Sequence, residues 1–231
     1  MSSFAHLDWR SAACVIDHTL LHPDATHDRI VQLCREAAAY GCAAVCIHPC
    51  WVPLAVSLLR PTPVKVCSVV GFPHGATLTS VKRTEAAELL RLGADELDMV
   101  INIGALKSGD SARVLADIRG VAEIARTAGA LLKVILETAL LTRDEKILAC
   151  RISLEAGVDF VKTSTGFAEA GATVEDVALL RQTVGNRAGV KASGGIHTAA
   201  QFAAMLAAGA DRIGASDSVA ILRQLGAPDL T

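Results

Sequence analysis

Short apolar segments recur along the 231-residue chain at intervals of about 20 to 35 residues. They are rich in Val, Ile and Leu, which is typical of strands that are buried on both faces of a parallel sheet. The eight predicted strands cover residues 14–19, 43–48, 64–70, 96–102, 131–137, 159–165, 189–193 and 212–215.

The segments between these strands repeat apolar residues at helical spacing, for example 80–92, 111–128 and 199–208. Glycines such as Gly41 and Gly157 stand where helix gives way to strand, the usual place of a left-handed helix cap. Eight alternating strands and helices in a chain of this length predict a closed α/β barrel, the (β/α)8 TIM barrel. No Pro-rich or charged linker divides the chain, so we expect one domain over residues 1–231.

An open, doubly wound sheet is the alternative arrangement. It needs a glycine-rich turn after the first strand to hold a nucleotide. Residues 18–23 read HTLLHP and contain no glycine, which favours the barrel.

The amino-acid composition and net charge exclude some classes of function. The chain is 52% hydrophobic and 20% charged with a net charge of -2, so it has ample core material and no basic field for nucleic acid. Its seven cysteines are odd in number and several lie in apolar runs, which predicts free thiols in a reducing compartment. Residues 1–10 lack a signal-peptide pattern, and the uncharged run 37–59 is interrupted by glycine and proline. We therefore expect a cytoplasmic protein without nucleic-acid or membrane partners.

Polar residues late in the predicted strands indicate where chemistry would occur, because a TIM barrel carries its active site at the carboxyl ends of its strands. Lys65 stands at the start of the third predicted strand, whereas three more of the seven lysines, Lys133, Lys162 and Lys191, fall further along predicted strands, where burial of an ammonium group is costly. Asp98 would be their partner. A structural ion pair explains one buried lysine, but one aspartate is not expected to pair with all three, which favours a catalytic role.

Lys162 is the candidate nucleophile, since lysine can supply a neutral amine that attacks a carbonyl and arginine cannot. Lys191, one strand further, would be the positive neighbour that favours the neutral form, while Asp98 could pair with a lysine or move protons. Glycines at 194–195 and 214 occur where TIM barrels bind phosphate, although a tight turn alone would also explain them. An amine beside a phosphate site indicates carbon–carbon bond chemistry through an imine.

Several motifs in one order strongly resemble the deoxyribose-phosphate aldolases. They are IDHTLL at 16–21, VGFPHG at 70–75, ELDMV at 96–100, LKVILET at 132–138, VKTSTGF at 161–167, VKASGGI at 190–196 and DRIGAS at 211–216. Together they extend over nearly the whole chain. A set of motifs in order is far more specific than one lysine in a strand.

The resemblance implies reversible cleavage of 2-deoxy-D-ribose 5-phosphate to D-glyceraldehyde 3-phosphate and acetaldehyde, in deoxyribose catabolism. Lys162 would form the Schiff base, Lys191 would favour its neutral form, and Asp98 would relay protons through water. The implied substrate-binding residues are Asp17, Thr19, Cys46, Lys133, Gly166, Gly194, Gly195, Gly214 and Ser216. No metal or cofactor is implied, because the imine nitrogen accepts the electrons. The expected partners are these small molecules and, among the assemblies that such barrels form, a homodimer.

Three features depart from the family pattern. Asp217 stands where many relatives carry a small hydroxyl residue, and its carboxylate would repel a phosphate dianion. His197 stands where relatives often carry arginine, which weakens one phosphate contact. We therefore expect tolerance for unphosphorylated aldehydes. Residues 227–231 contain no tyrosine, so proton transfer would depend on Asp98, Lys191 and water.

Three other hypotheses stay open on the sequence. Cys42, Cys46, His48 and Cys50 could ligate a metal, although zinc ligands normally lie around turns rather than along one strand. A non-catalytic sugar-phosphate-binding barrel could use its strand lysines as phosphate cations. Another lysine aldolase of the transaldolase type would share the barrel and the imine but place its lysine differently.

Overall fold

Eight parallel strands form a closed barrel in chain order in the computed structural model, which describes residues 8–230. The strands are β1 (Ile16–Leu20), β2 (Ala44–Ile47), β3 (Lys65–Val70), β4 (Glu96–Val100), β5 (Leu131–Ile135), β6 (Phe160–Lys162), β7 (Gly189–Ser193) and β8 (Arg212–Ala215). The last strand pairs with the first, with Ile16 opposite Ile213. The predicted TIM barrel is confirmed, and the open-sheet alternative is wrong because no strand edge stays unpaired between β8 and β1.

Helices alternate with the strands and pack on the outside of the barrel. They are α1 (Trp9–Ala13), α2 (His27–Tyr40), α3 (Val52–Leu59), α4 (Thr79–Arg91), α5 (Ile103–Lys107), α6 (Ser111–Thr127), α7 (Arg143–Ala156), α8 (Val174–Val184), α9 (Ala199–Ala207) and α10 (Ser218–Gln224). None of those between residues 8 and 230 is long and apolar enough to span a lipid bilayer. Residues 1–7 and Thr231 lie outside the described residues. Residues 1–7 make up most of the segment that was considered above for a signal peptide.

Local sequence decides where the helices begin and end. Thr142 opens α7 with a capping box: its hydroxyl accepts from the Glu145 N–H at 3.3 Å, and the Glu145 carboxylate accepts from the Thr142 N–H at 2.7 Å. Gly157 ends the same helix in the left-handed region with a φ of 79°, and Gly41 ends α2 with a φ of 72°. Glycine adopts this conformation without the steric penalty of a Cβ. The predicted glycine caps are confirmed at these two helices.

The apolar core lies between the barrel and the helices. Every second strand residue points outward, and Val45, Leu97 and Val134 are fully buried there. Burying a side chain of this size contributes about 1.5–3 kcal/mol. The residues between them point into the barrel, so Glu96 and Asp98 of β4 face inward on either side of Leu97.

A buried ion pair joins two helices to the end of β4. Lys82 on α4 is fully buried, and its Nζ lies 2.5 Å from Asp117 Oδ2 on α6 and 2.8 Å from the carbonyl oxygen of Val100. Burial favours the neutral form and lowers the pKa of Lys82, although Asp117 opposes that shift. The pair holds the carboxyl end of β4 against both helices.

Three strands end two or three residues earlier than predicted. β4 stops at Val100, β5 at Ile135 and β6 at Lys162, before the expected ends at residues 102, 137 and 165. Asn102 instead caps α5, with its side-chain oxygen 3.0 Å from the N–H of Ala105. The polar residues that leave the sheet at this edge form the loops around the candidate site, as in other barrels.

Candidate active site

A network of charged side chains fills the middle of the barrel, which in most TIM barrels holds branched apolar residues. Asp98 is fully buried, and its Oδ2 accepts from the Nζ atoms of Lys162 and Lys191, both at 2.7 Å. Its Oδ1 accepts from Lys133 Nζ at 2.9 Å. The expectation that one aspartate would not pair with all three lysines is wrong, because the two oxygens of a carboxylate offer about four acceptor sites.

Two further carboxylates and an arginine complete the network. Asp17 accepts hydrogen bonds from Lys191 and from Arg212, whose Nε lies 2.6 Å from Asp17 Oδ1. Glu96 lies 2.6 Å from Lys133 Nζ, and both of its oxygens accept from Arg212 Nη2 at 3.1 Å. The seven charged groups of the network come from six strands, β1 and β4 to β8, so only the closed barrel brings them together.

Mutual attraction holds these groups in their charged forms. Burial alone would raise the pKa of Asp98, but the ammonium groups of Lys133, Lys162 and Lys191 lower it well below its usual range. The pKa of Asp17 is also lowered, against burial, chiefly by Lys191. Burial alone would lower the pKa values of Lys191 and Lys133, yet the facing carboxylates raise both. Both lysines therefore keep their protons near neutral pH.

Lys162 is the unmatched cation of this network. The network sets four cationic side chains against three carboxylates: Lys133, Lys162, Lys191 and Arg212 against Asp17, Glu96 and Asp98. Lys162 contacts one carboxylate, that of Asp98, whereas each of the other three cations contacts at least two. Lys162 is therefore the cation of the network that has the fewest carboxylate partners.

A cavity of about 530 Å³ opens at the carboxyl ends of the strands. Seven of the predicted site residues line it: Thr19, Lys162, Gly166, Gly194, Gly195, Gly214 and Ser216. The other five are buried in the barrel interior and do not line it: Asp17, Cys46, Asp98, Lys133 and Lys191. Lys162 is thus the member of the charged network that also borders the cavity.

Glycine loops form one side of the cavity. Gly166, Gly194 and Gly195 have φ angles of 89°, 82° and 74°, in the left-handed region. Gly171 approaches Gly194 so closely that a Cβ on Gly171 would lie 2.1 Å from the Gly194 carbonyl oxygen. Backbone N–H groups in turns of this kind form concave sites for anions, so this side suits a phosphate group.

His197 and Asp217, the two departures from the family pattern, contact each other. His197 lines the cavity, and its Nδ1 lies 2.7 Å from Asp217 Oδ2. Their side chains are 57% and 48% exposed, so solvent and salt screen the pair. The Asp217 carboxylate therefore has a partner that can carry positive charge, at the end of the cavity where the glycines lie.

Cys46 lies in the barrel interior next to another cysteine. It is buried on β2, and Cys67 of β3 is its register partner. The Cys67 thiol, by hydrogen bonding, lowers the pKa of Cys46 in spite of its burial, while burial raises the pKa of Cys67 well above its usual range. Cys67 Sγ lies 3.2 Å from Asp98 Oδ1, so this thiol pair borders the charged network.

The four residues considered as metal ligands do not converge. Cys42 packs in the core outside the barrel, Cys46 belongs to the cluster inside it, and Cys50 is exposed. His48 Nε2 lies 2.8 Å from the carbonyl oxygen of Leu21. Among residues 8–230, the groups of potential ligands that do converge contain only Cys46 of these four. The hypothesis of a metal site on this set is wrong.

Comparison with known proteins assigns the family. A sequence model of the DeoC/LacD family of aldolases matches residues 11–225. The chain belongs to the DeoC/LacD aldolase family. Among curated members, the deoxyribose-phosphate aldolase of Thermoanaerobacter sp. (strain X514) is 55% identical over 213 residues, which are 92% of this chain and 96% of the relative. That of Aciduliprofundum boonei is 55% identical over 219 residues, 95% of this chain and 99% of the relative.

Solved structures of DeoC/LacD aldolases share the barrel. The tetrameric deoxyribose phosphate aldolase from Aeropyrum pernix matches with a TM-score of 0.89 and 37% identity, over 95% of this chain and 93% of that chain. The resemblance found in the motifs is therefore confirmed. Membership in a family of aldolases also opposes the hypothesis of a barrel that binds sugar phosphates without catalysis.

Four residues of this DeoC/LacD site had no role in the sequence interpretation: Cys67, Glu96, Glu137 and Arg212. A usable signal existed for two of them. Glu96 precedes Asp98 by two positions and Arg212 precedes Gly214 by two, so strand alternation sends each pair into the barrel. Cys67 carries no comparable signal, because a buried cysteine is common in structural positions. Glu137 could be noted only as a polar residue late in the fifth predicted strand, without a role.

Proposed function

We propose that this chain is a class I deoxyribose-phosphate aldolase, which cleaves 2-deoxy-D-ribose 5-phosphate reversibly to D-glyceraldehyde 3-phosphate and acetaldehyde through a Schiff base on Lys162. The observation that carries the proposal is the position of Lys162, which is the unmatched cation of the charged network and lines the cavity. The curated relatives of the same name support the choice of substrate.

In the synthetic direction, the neutral amine of Lys162 attacks the carbonyl carbon of acetaldehyde, and loss of water gives the imine. Protonation of the imine nitrogen makes the methyl protons acidic, and removal of one of them gives an enamine. The enamine carbon attacks the aldehyde carbon of D-glyceraldehyde 3-phosphate, and the new alkoxide takes up a proton. Water then hydrolyses the imine and restores the Lys162 amine. The imine nitrogen accepts the electron pair, so these steps call for no metal or cofactor.

Asp98 and Lys191 are the proposed proton-handling groups around this lysine. Asp98 accepts from both lysines through one oxygen, which gives a proton a short route by way of water. The raised pKa of Lys191 keeps a positive charge beside Lys162, and this charge favours the neutral amine over a second ammonium group. Both residues are buried, so exchange with bulk water passes through the cavity.

The cavity suggests which residues bind the substrate. Gly166, Gly194, Gly195, Gly214 and Ser216 line the side proposed for phosphate, and Thr19 lines the same cavity as Lys162. Asp17, Cys46 and Lys133 do not border the cavity, so their proposed contribution to binding is indirect, through Asp98 and Lys191.

We also propose that the phosphate preference is modest. The carboxylate of Asp217 lies near the proposed phosphate side, and His197 offsets its charge only when the imidazole is protonated. Unphosphorylated aldehydes would not meet this unfavourable charge. A large preference in kcat/KM for deoxyribose 5-phosphate over deoxyribose would contradict this part of the proposal.

The proposed partners are small molecules and a second copy of the chain. The relative from Aeropyrum pernix is a tetramer, so members of the family do assemble. Light scattering on the purified protein would show whether this chain forms the predicted homodimer.

Trapping of the imine tests the activity. The protein is incubated with acetaldehyde, reduced with borohydride and digested, and the modified peptide is identified by mass spectrometry. We expect one ethyl adduct, on Lys162, and none on Lys162→Leu protein or on the exposed Lys107. An adduct on another strand lysine would favour a different lysine aldolase. Saturable binding of deoxyribose 5-phosphate without any adduct would favour a binding barrel.

A further inference from the structure

Glu137 holds an unusual backbone conformation directly after β5. Its φ is 57° and its ψ is 65°, in the left-handed region. It is the one non-glycine residue with a positive φ among residues 8–230. A glutamate there is strained, and such strain persists where the surroundings require it, often at functional sites.

The side chain of Glu137 is 3% exposed and is directed at a single residue of the next strand's loop. Both carboxyl oxygens lie 3.3 Å from the Thr165 N–H, and Oε2 also accepts from the Thr165 hydroxyl. No lysine, arginine or histidine within the described part of the chain forms an ion pair with Glu137. The hydrogen bonds that the Glu137 carboxyl group accepts therefore come from Thr165.

Thr165, held by Glu137, also forms a hydrogen bond to a residue further along the chain. A hydroxyl has one hydrogen, which Thr165 donates to Glu137, so its oxygen is available as an acceptor. That oxygen accepts from the Phe167 N–H at 3.0 Å. Glu137 thus fixes both ends of a three-residue segment that has Gly166 at its centre.

This segment, residues 165–167, follows the reactive lysine along the chain and carries Gly166 of the glycine side of the cavity. All three of its residues line the cavity, whereas Glu137 does not. It begins three residues after Lys162, and the Lys162 carbonyl oxygen accepts from the Leu136 N–H at 2.9 Å. The backbone at residues 136–137 therefore forms a hydrogen bond to Lys162 at the end of β6, and the Glu137 side chain holds the loop that follows β6.

We infer that Glu137 is a positioning residue, which uses its strained backbone and its carboxyl group to hold the Thr165–Phe167 segment where the phosphorylated end of the substrate binds. A glycine would adopt the same backbone conformation without strain, but it would leave the two donors of Thr165 without acceptors. The inference rests on the proposed function, because it assigns Glu137 to binding of the phosphorylated substrate rather than to the imine.

The test compares variants that separate the backbone from the carboxyl group. Glu137→Gly permits the φ of 57° and removes the acceptor. We expect the KM for deoxyribose 5-phosphate to rise about tenfold or more, because a small displacement of a binding group costs up to about a hundredfold in rate. The kcat/KM for unphosphorylated deoxyribose should change by less than about threefold, and borohydride trapping at Lys162 should continue.

Glu137→Gln is the conservative control. Its side-chain oxygen can still accept from the Thr165 hydroxyl, so we expect the KM to stay within about threefold of the wild-type value. Glu137→Asn serves as a second loss-of-contact variant, since asparagine tolerates the left-handed region but has a shorter side chain. It should behave like Glu137→Gly. All variants are first checked by thermal unfolding.

Several results would overturn the inference. An unchanged KM in folded Glu137→Gly and Glu137→Asn protein would mean that only the backbone turn matters. An equal loss for phosphorylated and unphosphorylated substrates, with loss of trapping, would indicate general damage to the barrel. The dissociation constant of deoxyribose 5-phosphate, measured by calorimetry in Lys162→Leu protein with and without Glu137→Gly, needs no turnover and should show the same tenfold weakening, of order 1.4 kcal/mol.

The same experiments distinguish the two proposals. A wild-type protein that is not labelled at Lys162 would contradict the proposed function. A labelled wild-type protein whose substrate binding is insensitive to loss of the Glu137 carboxyl group would contradict only the role of Glu137.

Discussion

Lys162 and Lys191 donate to the same carboxylate oxygen, Oδ2 of Asp98, with both Nζ–Oδ2 distances at 2.7 Å. They are register partners on β6 and β7, so the barrel itself sets them side by side. Two ammonium groups on one oxygen repel each other, and facing carboxylates raise the pKa of Lys191. Lys191 also contacts Asp17, and Lys162 borders the cavity. These two otherwise similar lysines therefore differ in their carboxylate partners and in their access to the cavity.

Replacement of Lys191 tests this coupling. In Lys191→Met protein the positive neighbour is absent, so the neutral amine of Lys162 should form only at higher pH. We expect kcat/KM at neutral pH to fall by about 10²-fold or more, with the rise of activity moved to higher pH. A pH profile of kcat/KM checks this, and borohydride trapping at high pH should still label Lys162. An unchanged profile would show that Lys191 does not influence Lys162.

Replacement of Asp17 tests how the network responds to acid. The pKa of Asp17 is lowered in the folded protein, so its stabilising effect is complete above its unfolded value of 3.8 and is lost as the pH falls towards the folded value. Asp17→Asn should cost about 3–5 kcal/mol at pH 7, because it leaves Lys191 and Arg212 each with one carboxylate fewer. Below about pH 4 the variant should lose stability less steeply than the wild type, by up to about 1.4 kcal/mol per pH unit.

Urea unfolding of the Asp17→Asn variant at pH 7, 5, 4 and 3 measures this difference. Asp24→Asn is the matched control, because the Asp24 side chain is 80% exposed. Equal acid sensitivity of Asp17→Asn and wild-type protein would contradict the assignment of Asp17 to the charged network.

The close approach of Gly171 to Gly194 predicts the effect of adding one methyl group at Gly171. A Cβ at Gly171 would lie 2.1 Å from the Gly194 carbonyl oxygen, so Gly171→Ala must displace the loop on the glycine side of the cavity. We expect about a tenfold rise in the KM for deoxyribose 5-phosphate and a lower Tm. Gly104→Ala is the control, because the nearest atom to its Cβ, Asn102 Oδ1, is 3.7 Å away. That variant should be neutral or stabilising by about 0.5–1 kcal/mol, and normal kinetics of Gly171→Ala would refute the proposed phosphate side.

Removal of the carboxylate that is paired with His197 should strengthen binding of phosphate. Asp217→Ser eliminates an exposed negative charge beside His197, so kcat/KM for deoxyribose 5-phosphate should rise about two- to fivefold. The value for unphosphorylated deoxyribose should stay the same, and the gain should shrink at high salt. Asp229→Ser is the control, since its carboxylate is paired with Arg223, which does not line the cavity, whereas Asp217 is paired with His197, which does. A fall in kcat/KM would mean that Asp217 helps to bind the substrate.

The barrel and its lysines follow from local patterns. Strand spacing, helix periodicity and the glycine caps depend on neighbours within a few positions, so all eight strands and the buried positions of Lys133, Lys162 and Lys191 could be predicted. The family motifs added the proposed roles. The glycines at 194–195 could be placed at the cavity because a barrel puts its chemistry at the carboxyl ends of its strands.

Local sequence patterns could not predict which side chains these residues contact. Lys191 pairs with Asp17 across 174 positions and Arg212 with Glu96 across 116, and both contacts depend on closure of the sheet between β8 and β1. Asp98 could be named from its motif, but its three lysine contacts arise from the positions of side chains on four strands. The strained backbone of Glu137 likewise accompanies a long-range contact, the hydrogen bond from Thr165 in the loop after β6. Short-range periodicity thus specifies which residues are buried and in which order the strands follow. The balance of charges that distinguishes Lys162 from the other lysines depends instead on long-range contacts, which form only in the closed barrel.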